Sequence, residues 1–195
     1  LNVFKKFIDV KKNIGIYKLP KLKLNHLFTL TDETGIIQHA KHSMPNRDTG
    51  YTLDDNARAL IVATMHYNLY KSEKSLRLIN TYLSFIFHSQ MENGLFHNLM
   101  SYDKRFIDDV GSEDSFGRAL WATGRLVNSS VNTNLKASAK FVFDNGVKHI
   151  YELDSVRAKV FSLIGLYNYY QVYTNEDVRD KIKSLADILV ENYKQ

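Results

Sequence analysis

The sequence predicts an all-α fold of antiparallel helical hairpins, with small β-hairpins or loops between the helix pairs. Three observations predict it: apolar residues recurring at helical spacing from residue 54 onward, short polar joints, and an internal repeat of about 60 residues. Helices are expected near 54–69, 73–91, 114–128, 134–151, 155–172 and 176–193. In the second, Leu76, Ile79, Tyr82, Leu83, Ile86 and Phe87 recur at steps of three and four, which lays one buried face along a helix. Leu78 and Phe85 widen that face toward a second neighbour. The joints Lys71-Ser72-Glu73 and Thr174-Asn175-Glu176 are too short for anything but a reversal, so consecutive helices pack antiparallel. Thr174 or Asn175 caps the last helix, with Glu176 and Asp177 at its positive end.

The stretches 26–52 and 92–112 resist a helical reading, because each places a glycine within alternating apolar and polar residues. They also resemble each other. Gly35–Ala40 (GIIQHA) aligns with Gly94–Leu99 (GLFHNL), and Asp54–Leu60 (DDNARAL) with Asp114–Leu120 (DSFGRAL). Gly35 precedes Arg58 by 23 residues and Gly94 precedes Arg118 by 24. A third, degraded copy begins at Asp154-Ser155-Val156-Arg157-Ala158. Repeated helix pairs of this kind build solenoids and toroids.

With 195 residues, 44% of them hydrophobic, the chain can bury a core within one domain. Its net charge of +5 is unevenly placed. Residues 1–25 hold seven lysines against Asp9 alone, whereas 26–195 carry 19 basic and 20 acidic side chains. The division is therefore a basic lead-in or linker, 1–25, and a near-neutral helical domain, 26–195. The apolar residues interleaved in the lead-in suit a segment docked on a protein surface, and nucleic acid is not an expected partner. The absence of cysteine fits a reducing, cytoplasmic setting. No stretch of about 18 apolar residues exists to span a membrane, and no apolar leader follows the first lysines.

The helix starts hold the candidate chemistry. Asp54 and Asp55 stand four and three residues before Arg58, Asp114 four before Arg118, and Asp154 three before Arg157. Each spacing permits an ion pair on one helix face, and acids in a first turn also meet free N–H groups. If equivalent helices line a ring, these starts gather on one rim. His39, His42, Tyr51, Asn56, His97 and Asn98 lie close by in sequence. Carboxylates and amides suit sugar hydroxyls, and glycoside hydrolysis needs a pair of carboxyl groups. Asp54, Asp55, Glu113 and Asp114 are therefore the candidate catalytic acids. His39, His42, Tyr51, Asn56, Arg58, His97, Asn98 and Arg118 are the candidate substrate-binding residues. Trp121, inside its helix, reads as a core side chain. His39 and His42 precede Met44-Pro45, which disfavours a helix, and no acid completes a metal motif. There is no phosphate-cradling glycine loop, no G-x-S-x-G elbow and no dinucleotide fingerprint, so neither metal nor cofactor is expected.

One segment carries a resemblance. Thr31-Asp32-Glu33-Thr34-Gly35, Gln38-His39-Ala40, Gly50-Tyr51 and Asp54–Leu60 together resemble the opening of a helical domain appended to bacterial glycosyltransferases. More distantly they resemble six-hairpin (α/α)-toroid glycosidases. Gly94–Asn98 and Gly111–Ala122 continue the likeness, which spans roughly residues 20–195. It implies about half of an (α/α)6 toroid with a polar central pocket, acting on an oligosaccharide or other glycan. The partner it implies is a glycosyltransferase domain or the other half of the ring, with the lysine-rich lead-in as the linker from the transferase. Relatives carry a tryptophan-phenylalanine-glutamate segment in their second half, and this chain has none. The alternative is a non-catalytic helical-repeat module that docks a partner, its acid–arginine pairs being caps and struts.

Overall fold

A computed structural model describes residues 22–194. The basic lead-in, residues 1–25, falls mostly outside them. The described elements are α1 (Asn25–Leu30), β1 (Ala40–Lys41), β2 (Met44–Pro45), a 3-10 turn (Arg47–Thr49), β3 (Tyr51–Thr52), α2 (Leu53–Tyr70), α3 (Glu73–Ser89), β4 (Leu99–Met100), α4 (Glu113–Val127), α5 (Thr133–Gly146), a 3-10 turn (Val147–Glu152), α6 (Val156–Tyr170) and α7 (Glu176–Lys194).

The helices α2 through α7 form three antiparallel pairs: α2 with α3, α4 with α5, and α6 with α7. Of the first helices of the pairs, α4 also packs on both α2 and α6, and the three form an inner row backed by α3, α5 and α7. Each reversal has a local cause. Lys71 closes α2 in a left-handed conformation with φ 51°, and Asn175 Oδ1 accepts the Val178 N–H at 2.8 Å to open α7. The core between the two layers is filled by large side chains such as Leu60, Ile79, Tyr82, Leu120 and Phe143, all fully buried.

The α4–α6 contact is the tightest in the row. Gly117 and Gly124 on α4 meet Ala158 and Gly165 on α6, so the two backbones touch. A Cβ added at Gly165 would stand 2.5 Å from the Leu120 carbonyl oxygen.

Four sequence expectations are corrected. The stretch 26–52 contains the short helix α1. The predicted helix 134–151 leaves the α form after Gly146 and continues as the 3-10 turn Val147–Glu152. The first loop does form a hairpin, with Ala40 opposite Pro45 and Lys41 opposite Met44. The other ladder, however, joins the two repeated loops to each other: Tyr51 pairs with Met100 and Thr52 with Leu99. Gly50, at φ 62°, allows this, because a Cβ there would collide with the Met100 carbonyl oxygen. Finally, the third repeat is offset. Thr52, Ser112 and Ser155 are the equivalent N-caps, each accepting the N–H three residues on. Counted from those caps, Arg157 matches Asp54 and Asp114, and Phe161 matches Arg58 and Arg118.

Candidate functional site

Because α2, α4 and α6 run side by side in the same direction, their N-termini share one rim. The cross-linked loops lead into it. The Leu53 N–H donates to the Asn98 carbonyl at 2.8 Å, and the Asp54 N–H to Asn98 Oδ1 at 3.3 Å, so Asn98 of the second loop caps the helix of the first repeat.

The acids and arginines form a ladder along this rim. Arg58 Nη2 donates to Asp54 Oδ2 at 3.1 Å and to Asp55 Oδ1 at 2.6 Å, as the spacing predicts. Thr52 Oγ1 accepts the Asp55 N–H at 3.1 Å and donates to Asp55 Oδ2 at 2.7 Å. The remaining pairs differ from expectation. Arg118 reaches back to Asp54 of the previous repeat, Nε to Oδ1 at 3.7 Å. Asp114 is bonded forward to α6, by Arg157 Nη2 at 2.7 Å and Ser155 Oγ at 3.0 Å. The expected Asp114–Arg118 and Asp154–Arg157 pairs are therefore replaced by links between repeats. Glu113 also reaches across: its Oε2 accepts the N–H groups of Asp154 and Ser155 at 2.9 and 2.6 Å. An open groove of about 490 Å³ runs along this stretch of rim, lined by Ser112, Glu113, Asp114, Asp154, Ser155 and Arg157.

Arg118 also stacks its guanidinium 4.5 Å from the centre of the Phe161 ring. Trp121 lies nearly parallel to the same ring, 5.7 Å between centres and 16° between planes. Trp121 packs against the core as expected, but it remains partly exposed.

His97 donates from Nδ1 to the Asp108 carbonyl at 2.7 Å and stacks on Phe106 at 4.5 Å. A carbonyl only accepts, so in the neutral ring the proton sits on Nδ1 and Nε2 is the acceptor. Asp108 carries its loop, its carboxylate accepting the N–H groups of Asn98 at 2.7 Å and Leu99 at 3.0 Å.

The other expected site residues stand apart from this ladder. Tyr51 is 1% exposed, with its hydroxyl donating to Asp32 Oδ2 at 2.6 Å. Burial is the main cause that pushes its phenol up, and Asp32 adds to it. Asn56 is fully buried, its amide bonded to the Ile36 N–H and the Thr52 carbonyl. Both brace the rim from below and present no surface to a solute, which corrects their reading as substrate contacts. His39 and His42 are exposed on the β1–β2 hairpin, with no side-chain bond to the acids among the described residues. Sequence reasoning missed Ser155 and Phe161. The cap spacing Thr52-x-x-Asp55, Ser112-x-x-Ser115 and Ser155-x-x-Ala158 was the available signal, and it aligns Phe161 with the two arginines.

No family model and no curated protein matches the chain. Among solved structures, the cellobiose 2-epimerase from Bacillus thermoamylovorans is similar over 96% of this chain and 55% of its own, with TM-score 0.69 and 14% identity. The fold is toroid-like, as in that (α/α)6 neighbour. The chain spans about half the length of that structure. At this identity the likeness establishes architecture alone.

Proposed function

We propose that this domain binds a glycan along the rim formed by the starts of α2, α4 and α6, as a carbohydrate-active toroid domain working beside a glycosyltransferase or glycosidase. The observation that carries the reading is the acid–arginine ladder bordering an open groove. A fixed row of carboxylates and guanidinium groups offers acceptors and donors at set positions, which is what vicinal sugar hydroxyls require. Each carboxylate oxygen can accept two hydrogen bonds, so Asp55 and Asp114 retain capacity beside their protein partners. The fold neighbour is itself an enzyme named for a sugar, cellobiose. Asp55 and Asp114 are assigned as hydroxyl clamps, Arg58 and Arg157 as the groups that orient them, and Asn98 and His97 Nε2 as neighbouring contacts.

A second reading, a non-catalytic module that docks a partner domain, is favoured by one feature. Glu113 and Asp114 are both engaged in holding α6 to α4, as struts would be. Titrating neutral mono- and oligosaccharides against the wild type, Asp55→Asn and Asp114→Asn separates the two. The glycan reading expects saturable binding that weakens at least ten-fold in either variant. Saturable binding unchanged in both variants removes the acids from the site, and no binding by any sugar leaves the docking module.

A further inference from the structure

Burial along α4 leaves a single stripe open. Beyond Glu113 the partly exposed positions are Asp114, Arg118, Trp121 and Arg125, and every other residue of the helix is buried. Steps of four, three and four put them on one face. With α2, α5 and α6 covering the other sides, this face looks to the inner side of the helix row. It leads away from the rim for about 16 Å at 1.5 Å per residue.

The far end of the stripe carries an unmatched cation. Arg125 Nε is buried with no hydrogen-bond partner, and no carboxylate pairs with its guanidinium among the described residues. Arg58 and Arg157, by contrast, each hold a carboxylate. The carboxyl end of α4 gives Arg125 a favourable dipole but no acceptor for Nε. Arg118 is also under-satisfied: its Nε and Asp54 Oδ1 are buried without hydrogen bonds, 3.7 Å from each other. Between the two arginines lies Trp121, held flat by Phe161.

Two under-satisfied guanidinium groups flanking an indole suit a sugar that bears an anion. The guanidinium fork matches the two oxygens of a carboxylate or phosphate, and an indole packs against the C–H face of a pyranose. We propose that Arg118, Trp121 and Arg125 form a subsite for an acidic sugar unit, either a uronate or a sugar phosphate, with its anion on Arg125 and its ring against Trp121. The proposal rests on the glycan reading above and extends it from the rim to the inner wall. A neutral sugar would leave the Arg125 guanidinium without an anionic partner and its Nε still unmatched, so the site discriminates by a missing partner as well as by a gained one.

The test titrates the chain with glucose, glucuronate, glucose 6-phosphate and inorganic phosphate, in the wild type, Arg125→Gln and Arg125→Lys. Circular dichroism checks that each variant is folded. At least one acidic sugar binds ten-fold or more tightly than glucose, and the tighter of the two identifies the anion. Arg125→Gln removes that preference while glucose affinity stays the same, and Arg125→Lys keeps part of it. Equal affinity for acidic and neutral sugars overturns the subsite, as does a preference that survives Arg125→Gln. So does inorganic phosphate binding as tightly as the preferred acidic sugar. Glucose binding that is lost in Asp114→Asn, with no acidic preference, overturns the subsite and leaves the glycan reading standing. Binding of no sugar at all overturns both.

Discussion

The starts of α2 and α4 carry the same Asp-x-x-x-Arg spacing and use it differently. In α2, Arg58 folds back on its own helix and holds Asp54 and Asp55. In α4, Arg118 leaves Asp114 and turns to Asp54 of the preceding repeat, while Asp114 turns to Arg157 of the following one. The difference is one of neighbours. Helix α4 has an inner helix on both sides, so its charges find partners across the row, whereas α2 has α4 on one side only among the described residues. A repeated motif thus serves as a local pair in one copy and as a strut between copies in the next.

The variant expected to break this comparison most severely lies at the backbone contact. Ala57 of α2 and Gly117 of α4 are equivalent by N-cap register, but only the α4–α6 side closes through glycines. Gly165→Val should cost about 3 kcal/mol, because its side chain meets the Leu120 backbone, which cannot yield as a side chain can. Ala57→Gly should cost about 1 kcal/mol, from helix propensity. Urea unfolding of both variants measures the contrast.

Next in size is the strut made by Glu113. Losing its two bonds to the Asp154 and Ser155 N–H groups in Glu113→Ala should cost about 2 kcal/mol. Glu113→Gln keeps an acceptor oxygen and should lose about half of that. Equal losses in the two variants would show that the carboxylate charge, not the two hydrogen bonds, does the holding.

The charged ladder sharpens the comparison further. Asp114→Ala removes the bonds from both Ser155 and Arg157 and should cost about 1.5 kcal/mol. Arg58→Ala removes pairs made by a half-exposed arginine and should cost about 0.5 kcal/mol. A cost for Arg58→Ala equal to that of Asp114→Ala would contradict the distinction between local pair and strut.

These contrasts also mark where the sequence was readable. Helical periodicity placed all six long helices, because each buries a continuous face and ends at a turn or cap. The relation between the two loops was visible in Gly35–Ala40 and Gly94–Leu99. That these loops would pair with each other through Tyr51 and Met100 was not, because strand partners two residues long leave no pattern. The spacing of Asp114 and Arg118 was equally legible, but its outcome depends on which helices stand beside α4, and that is a tertiary fact. Tyr51 and Asn56 looked like site residues because they are polar and adjacent to the acids. Their burial follows from the path of the loop over α2 and α3, which no local signal encodes.

The smallest expected effect concerns how each loop is tied down. The second loop hangs on the Asp108 carboxylate, and the first on two phenols, Tyr51 to Asp32 and Tyr82 to Thr31 Oγ1 at 2.7 Å. Burial pushes Tyr82 up from 10.0 to about 12, opposed by its bond to Thr31, and burial raises Tyr51 as well. Between these pH values the unfolded chain releases protons that the folded chain keeps. The tyrosines' contribution to stability is therefore full below pH 10 and falls as pH rises toward about 12. Tyr82→Phe should flatten part of that fall in urea unfolding across the range, and an unchanged slope would exclude Tyr82 as a contributor.

The most direct test of the central claim is a saccharide titration of the labelled chain, followed by backbone amide chemical shifts. A glycan on the inner-helix rim should move the amides of Asn98, Asp54, Ser112–Ser115 and Asp154–Arg157 together, with one saturation curve. Shifts confined to the outer helices α3, α5 and α7, or no saturable shift with any saccharide, would contradict it.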